Sequence, residues 1–220
     1  MLKRTCVLLT VGMSAAPALA SAQTLGFGGR VGTLGLGGEV AVDLTEELVL
    51  RGGIGVVPIE PSATFSDLEL TLTLPTVWNV GLDLYVNSAM RIGGGMLFRR
   101  ADPMVTGQFD SPQEIGGTTY TPGEIGTLHG VFDGSDSAPY VLIGFGKHTA
   151  AGIGLFIDFG VAFVGEPDVR LDASGGSLDP NTDAAFRNAL DQEAADFEAD
   201  TRGYLKLWPI LNLGVRLGAR

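Results

Sequence analysis

Residues 67–86, "DLELTLTLPTVWNVGLDLYV", alternate between apolar and polar side chains without a slip. Every even position from Leu68 to Val86 is apolar except Thr76, and the odd face carries Asp67, Glu69, Thr71, Thr73, Asn79 and Asp83. Side chains alternate across a strand with period two, so the stretch predicts one long strand with an oily and a polar face. Pro75 lies on the odd face and cannot donate a ladder hydrogen bond, which predicts a bulge or local break there.

The pattern recurs. Apolar residues hold one parity at Leu34–Leu44, Leu48–Val56, Met90–Phe98, Ile153–Phe163 and Leu205–Leu217. Turn residues separate these runs, including "TEE" at 45–47 and Asn87-Ser88. The predicted strands cover about 30–44, 48–57, 67–86, 89–99, 125–133, 138–147, 152–174 and 204–217, with 104–109 in reserve. "EIGGTTYT" predicts a small hairpin, and "TPGE" at 121–124 a single helical turn with capping-box spacing. One segment departs from period two. Phe186, Leu190, Ala194 and Phe197 fall at helical steps, predicting an acidic amphipathic helix over about 180–202, capped by Asp179 and stopped at Gly203.

The apolar parity positions of the best strands carry no charge. The opposite face is largely Gly, Ala and Thr with a few charges, which suits the inside of a narrow barrel. This gives a use to the 33 glycines. Glu39, Asp43, Asp67, Glu69, Asp83 and Asp158 share that face with Arg51, Arg91, Arg99, Lys206 and Arg216. Confined charges need partners to offset desolvation, so an interior charge network is expected among them. Leu70, Leu72, Trp78, Leu82 and Leu155, on the other face, are expected to meet lipid. The fold expected is all-β: an antiparallel up-and-down transmembrane barrel of about eight strands, eight to ten at most, with the acidic helix before the last strand.

The chain opens "MLKRTCVLLTVGMSAAPALASAQ". Lys3 and Arg4, an apolar run and Ala20-Ser21-Ala22 predict a secretory signal over 1–22 and a barrel domain over 23–220. The single cysteine, Cys6, leaves with that signal, so no disulfide is expected. The formal charge of −11 makes nucleic acid an unfavourable partner.

"GLDLYVNSAMRIGGGMLF", "IGGTTYTPGEIGTLHG", "APYVLIGFGK" and "GIGLFIDFGVAFVGEPDVRLDASG", followed by the acidic helix and "WPILNLGVRL", resemble uncharacterised small outer-membrane β-barrel proteins of Gram-negative bacteria. The resemblance implies the outer membrane as location, with its lipid and the barrel-assembly machinery as partners. It implies no activity and supplies no catalytic residues. Such barrels usually end in an aromatic residue; this chain ends "RLGAR".

Catalytic and cofactor chemistry is not expected. "GFGKHT" (144–149) lacks the first glycine and the hydroxyl residue of a phosphate loop. "DPNTD" (179–183) has Ala184 and Leu190 where a calcium loop needs Gly and Glu. His129 and His148 have no ligands at metal spacing, and Ser135 and Ser137 near His129 read first as a turn. The expected role is structural or surface-interacting. A small-solute pore and a soluble periplasmic lipid-binding barrel are the alternatives.

Overall fold

The computed structural model describes residues 24–58, 60, 62–65, 68–201 and 203–219. The signal expected over 1–22 and the charge expected at Asp67 lie outside the described residues. In chain order the strands are β1 (Leu25–Gly32), β2 (Leu36–Asp43), β3 (Leu48–Val56), β4 (Ser62–Phe65), β5 (Leu68–Thr73), β6 (Val77–Tyr85), β7 (Met90–Arg99) and β8 (Met104–Phe109). There follow β9 (Gln113–Ile115), β10 (Thr118–Tyr120), β11 (Gly126–Asp133), β12 (Ser137–Phe145), β13 (Gly152–Phe163), β14 (Asp168–Gly175) and β15 (Leu207–Ala219). The helices are α1 (Pro122–Ile125) and α2 (Ala184–Thr201).

Eight strands close an antiparallel barrel in the order β1-β15-β13-β12-β7-β6-β3-β2. Among themselves they form a meander, and β1 with β15 makes the seam, running from Leu25–Ala219 to Gly32–Asn212. Turns at 44–47, 86–89 and 146–151 lie at one end, with both described chain ends. The turn at 33–35 and three long connections, 57–76, 100–136 and 164–206, lie at the other. Strands from the long connections form a separate five-stranded sheet, β14-β11-β8-β5-β4.

Three expected strands divide. The run 67–86 is two strands in two sheets: β5 pairs with β4 and β8, while β6 pairs with β3 and β7. Pro75, between them, terminates pairing rather than bulging one strand. The run 30–44 is a hairpin whose turn requires Gly35 at φ 84°, a region side-chain-bearing residues avoid. The run 152–174 breaks at 164–167 around Gly165 and Pro167, and β14 leaves the barrel for the upper sheet. Segment 125–133, expected in the barrel, is β11 of that sheet. Parity does not reveal the breaks in 67–86 and 152–174, because both fragments keep their apolar residues in one phase; across Gly35 the phase shifts, from odd residues outward in β1 to even residues outward in β2.

The acidic helix starts later than its sequence suggests. Asp179 accepts from the Asn181 N–H in a turn (2.9 Å), and Asp183 caps α2 by accepting from the Phe186 N–H (2.9 Å). Phe186, Ala189 and Leu190 bury against Ile115, Tyr120, Ile125 and Ala173. This is a second core, supporting the upper sheet and the β9–β10 hairpin. The barrel's own apolar core lies nearer the long-connection end, around Val77, Leu97, Tyr140, Leu142, Ala162 and Ile210.

Candidate functional site

The wall has two chemically distinct faces. Every barrel strand turns exposed apolar residues outward, among them Trp78, Leu82 and Leu155 at 45%, 46% and 69%. Trp78, Phe98 and Phe163 stand outward near the long-connection end, and Phe27 and Phe145 near the turn end. The Arg100 guanidinium sits 5.4 Å over the Trp78 ring. Leu70 and Leu72 are not part of this face. They belong to β5 in the upper sheet and are half-buried there, because the strand leaves the wall at Pro75.

Inside, Arg30, Glu39, Arg51, Asp83, Arg91 and Asp158 are at most 4% exposed. Arg51 lies at the centre, 3.3 Å from Glu39, 3.0 Å from Asp83 and 2.9 Å from Asp158. Arg91 pairs with Asp83 at 3.1 Å and also with Asp158. Arg30 reaches Glu39 at 3.3 Å and the Asn79 side-chain oxygen at 2.8 Å. Three guanidiniums therefore meet three carboxylates, so the group is neutral as a unit. The fork of each guanidinium suits this sharing, since it offers several fixed donors.

His148 closes the cluster from the turn end. It belongs to the 146–151 turn but is 1% exposed, with its ring against Phe156 (centroids 4.4 Å apart). Its Nε2 meets Glu39, its Nδ1 lies 3.3 Å from the Tyr85 hydroxyl, and its backbone N–H donates to that hydroxyl at 3.1 Å. Glycines leave room for the cluster. A Cβ at Gly144 would lie 2.5 Å from Cζ of Arg91, and one at Gly93 would strike Asp83. The near-zero exposure of these groups leaves no water-accessible lumen at their level.

The other expected interior charges lie elsewhere. Asp43, the last residue of β2, is half-buried and joins none of these pairs. Glu69 is on β5, exposed on the upper sheet. Arg99 pairs with Asp102 at 2.9 Å at the rim. Lys206 pairs with Glu166 at 3.1 Å, exposed, just before β15. Arg216 points inward at the turn end, but donates to the carbonyls of Ala150 and Gly152 rather than to a carboxylate. Asp43, Arg99 and Lys206 are at or just beyond strand ends, out of reach of the Arg51 cluster.

Arg30, Asn79 and His148 complete the network without having been named for it. Arg30 follows Gly26 and Gly28 on the inward parity of β1, where side-chain-free positions hide the alternation. His148 has no periodic signal, because it enters from a turn. His129 Nε2 lies 2.9 Å from Ser174 Oγ on the upper sheet, not from Ser135 or Ser137. Among the described residues, no carboxylate hydrogen-bonds to the His129 ring, so the pair lacks the orienting group of a triad.

Above the network the interior turns apolar. A cavity of about 470 Å³ lies between the barrel mouth and the upper sheet, lined by Val77, Leu97, Val105, Phe132 and Trp208 among others.

No family model matches the chain, and no curated protein does either. The fold is similar to crystal structures of CarO and CarO2 from Acinetobacter baumannii. CarO superposes with a TM-score of 0.59 at 20% identity, over 87% of this chain and 96% of that one. CarO2 gives 0.59 at 19% identity, over 89% and 98%. A major outer membrane protein from Thermus thermophilus gives 0.44 at 10% identity, over 90% and 100%.

Proposed function

We propose that the protein is an integral outer-membrane barrel of a Gram-negative bacterium, sealed inside, whose role is to hold the five-stranded sheet and α2 at the cell surface. The observation that carries this reading is the inversion of the two faces. A closed barrel turns its apolar side chains outward and its charges inward. Closure satisfies the strand hydrogen bonds, as lipid requires of any β structure that spans it. Barrel strands of eight to thirteen residues bracket the ~9–11 needed to cross. The outward aromatics near both ends resemble the girdles of such barrels. Short turns face the periplasm and long loops the exterior in bacterial barrels. That convention puts the upper sheet outside. Similarity of fold to CarO supports the architecture.

The sealed network favours a structural or surface-interaction role over solute passage and gives no support to catalysis. Residues 1–22 act as the cleaved export signal, and barrel-assembly machinery inserts the chain. The exposed outward face weighs against a soluble lipid-binding barrel, which would turn that face inward.

Fractionation tests the reading. The folded protein should stay with membranes through a carbonate wash and migrate faster on gels when unboiled; release by osmotic shock alone overturns it. Planar-bilayer recording tests the seal, and sustained conductance steps count against it.

A further inference from the structure

We propose that the barrel wall carries a lateral port, between the β1–β2 hairpin and the upper edge of β15, through which a single alkyl chain enters the apolar cavity from the surrounding lipid. The proposal rests on the membrane reading above and adds a ligand and a route to it.

The port follows from unequal strand heights. The β1–β2 hairpin turns at 33–35, and β1 pairs with β15 no higher than Gly32–Asn212. One further pair of bonds links Thr33 to Leu211: the Thr33 N–H donates to the Leu211 carbonyl (3.0 Å), and the Leu211 N–H to the Thr33 hydroxyl (2.9 Å). Above that, Leu207–Ile210 pair with β13 on one side only, through Gly160–Phe163. On the other side no described strand pairs with them. Four residues at ~3.4 Å each leave a free edge of roughly 13 Å.

The sequence of β15 fits such an edge. Backbone groups point to alternate sides along a strand, so Pro209 faces the same way as Leu211, toward the gap. Proline has no N–H. The free edge therefore presents no orphan donor at its centre, which is where proline is tolerated in a sheet. An unpaired amide at this position would need water or a partner inside lipid.

The cavity borders this gap. Its lining includes Leu207 and Pro209, which point outward, and Trp208 between them, which points inward. Thr33 and Pro209 flank the gap, so residues on both sides of it line the one space. Thr33, at the hairpin tip, forms the sill. The gap lies at the upper limit of the apolar band, with Phe163 paired to Leu207 and the Lys206–Glu166 ion pair just above. It thus opens toward the outer leaflet.

The lining selects the ligand. Leu72, Leu74, Val77, Leu97, Val105 and Phe132 are apolar. Among the described residues of the lining, Arg99 is the one charged group, and it is held by Asp102. At about 470 Å³ the space is within the ~300–1,000 Å³ of small-molecule sites. It offers burial but no charge recognition, which suits an alkyl chain whose polar head stays at the membrane surface. The ion-pair network below makes it a blind site rather than a passage.

The two tryptophans of the chain separate the possibilities. The full protein is refolded into phosphatidylcholine nanodiscs as W78F, leaving Trp208, and as W208F, leaving Trp78. Chain-brominated phosphatidylcholine and dibrominated stearic acid serve as quenchers, and distinguish a chain of an intact lipid from a free fatty acid. Trp78 should be quenched in proportion to the bromolipid fraction. Trp208 should be quenched saturably by at least one of the probes, and the cavity-filling pair L72F/V105F should reduce that quenching more than twofold without changing Trp78. A quenched Trp78 beside a Trp208 that stays bright, or that L72F/V105F leaves unchanged, overturns the port alone. An unquenched Trp78 overturns the membrane reading and the port with it.

Discussion

Arg51 and Asp158, 107 residues apart in sequence, meet at 2.9 Å across the barrel's diameter. β3 and β13 stand on opposite sides of the ring, so one ion pair ties the two walls together. Removing the cation should be costly. Arg51→Met leaves Glu39, Asp83 and Asp158 short of a shared partner, and we expect a loss of ~3–5 kcal/mol. Urea unfolding in lipid vesicles measures it. Arg51→Lys should recover little, because one ammonium cannot reproduce the fork that reaches all three carboxylates.

The glycines should divide by face. Gly144→Val places atoms on the Arg91 guanidinium and should destabilise by ~1–3 kcal/mol through overpacking. Gly29→Val points outward with nothing within 4 Å, and should leave the folded fraction on unboiled gels unchanged.

Position along the 67–86 run should decide the response to charge. Leu82→Arg puts a guanidinium on the outward face of β6 and should cost ~2–4 kcal/mol if it lies near the bilayer midplane. Leu70→Arg, on β5 in the upper sheet, should show no dependence on bilayer thickness. Unfolding in vesicles of short- and long-chain lipids compares the two.

The single turn α1 should loosen in acid. Thr121 donates from both its N–H and its hydroxyl to the Glu124 carboxylate, each at 2.8 Å, and this holds the Glu124 carboxyl below its usual range. A carboxyl with a lowered folded pKa contributes stability above its unfolded value, ~4.3, and loses it as pH falls through the folded one. The protection factors of the 123–126 amides should therefore fall as pH drops from ~4.3 through the lowered folded value, and E124A should remove the change.

Period-two alternation made the barrel class legible, because the outward face of every barrel strand has to be apolar whatever its neighbours are. It could not show which strands belong to the wall. The expected count of eight matches, but through compensating errors: one expected strand holds both β1's end and β2, and another, 125–133, lies in the upper sheet. Glu39, Arg51, Asp83, Arg91 and Asp158 stood out as charges on a small-residue face. Arg30 did not, since glycine carries no hydropathy signal, and His148 reached the interior through tertiary folding of a turn. Leu70 and Leu72 kept the parity of Trp78 and Leu82 while belonging to a different sheet, a distinction visible only in Pro75.

The six charges of the network come from β1, β2, β3, β6, β7 and β13, and none from β15. The last strand supplies closure without supplying a partner. Without β15 the sheet would have two open edges, β1 and β13, and its interior would be open to water. Pairing of β15 with β1 and β13 completes the wall that keeps the ion pairs dry. A chain truncated before Leu207 would carry every member of the network and still have no dry interior to hold it in.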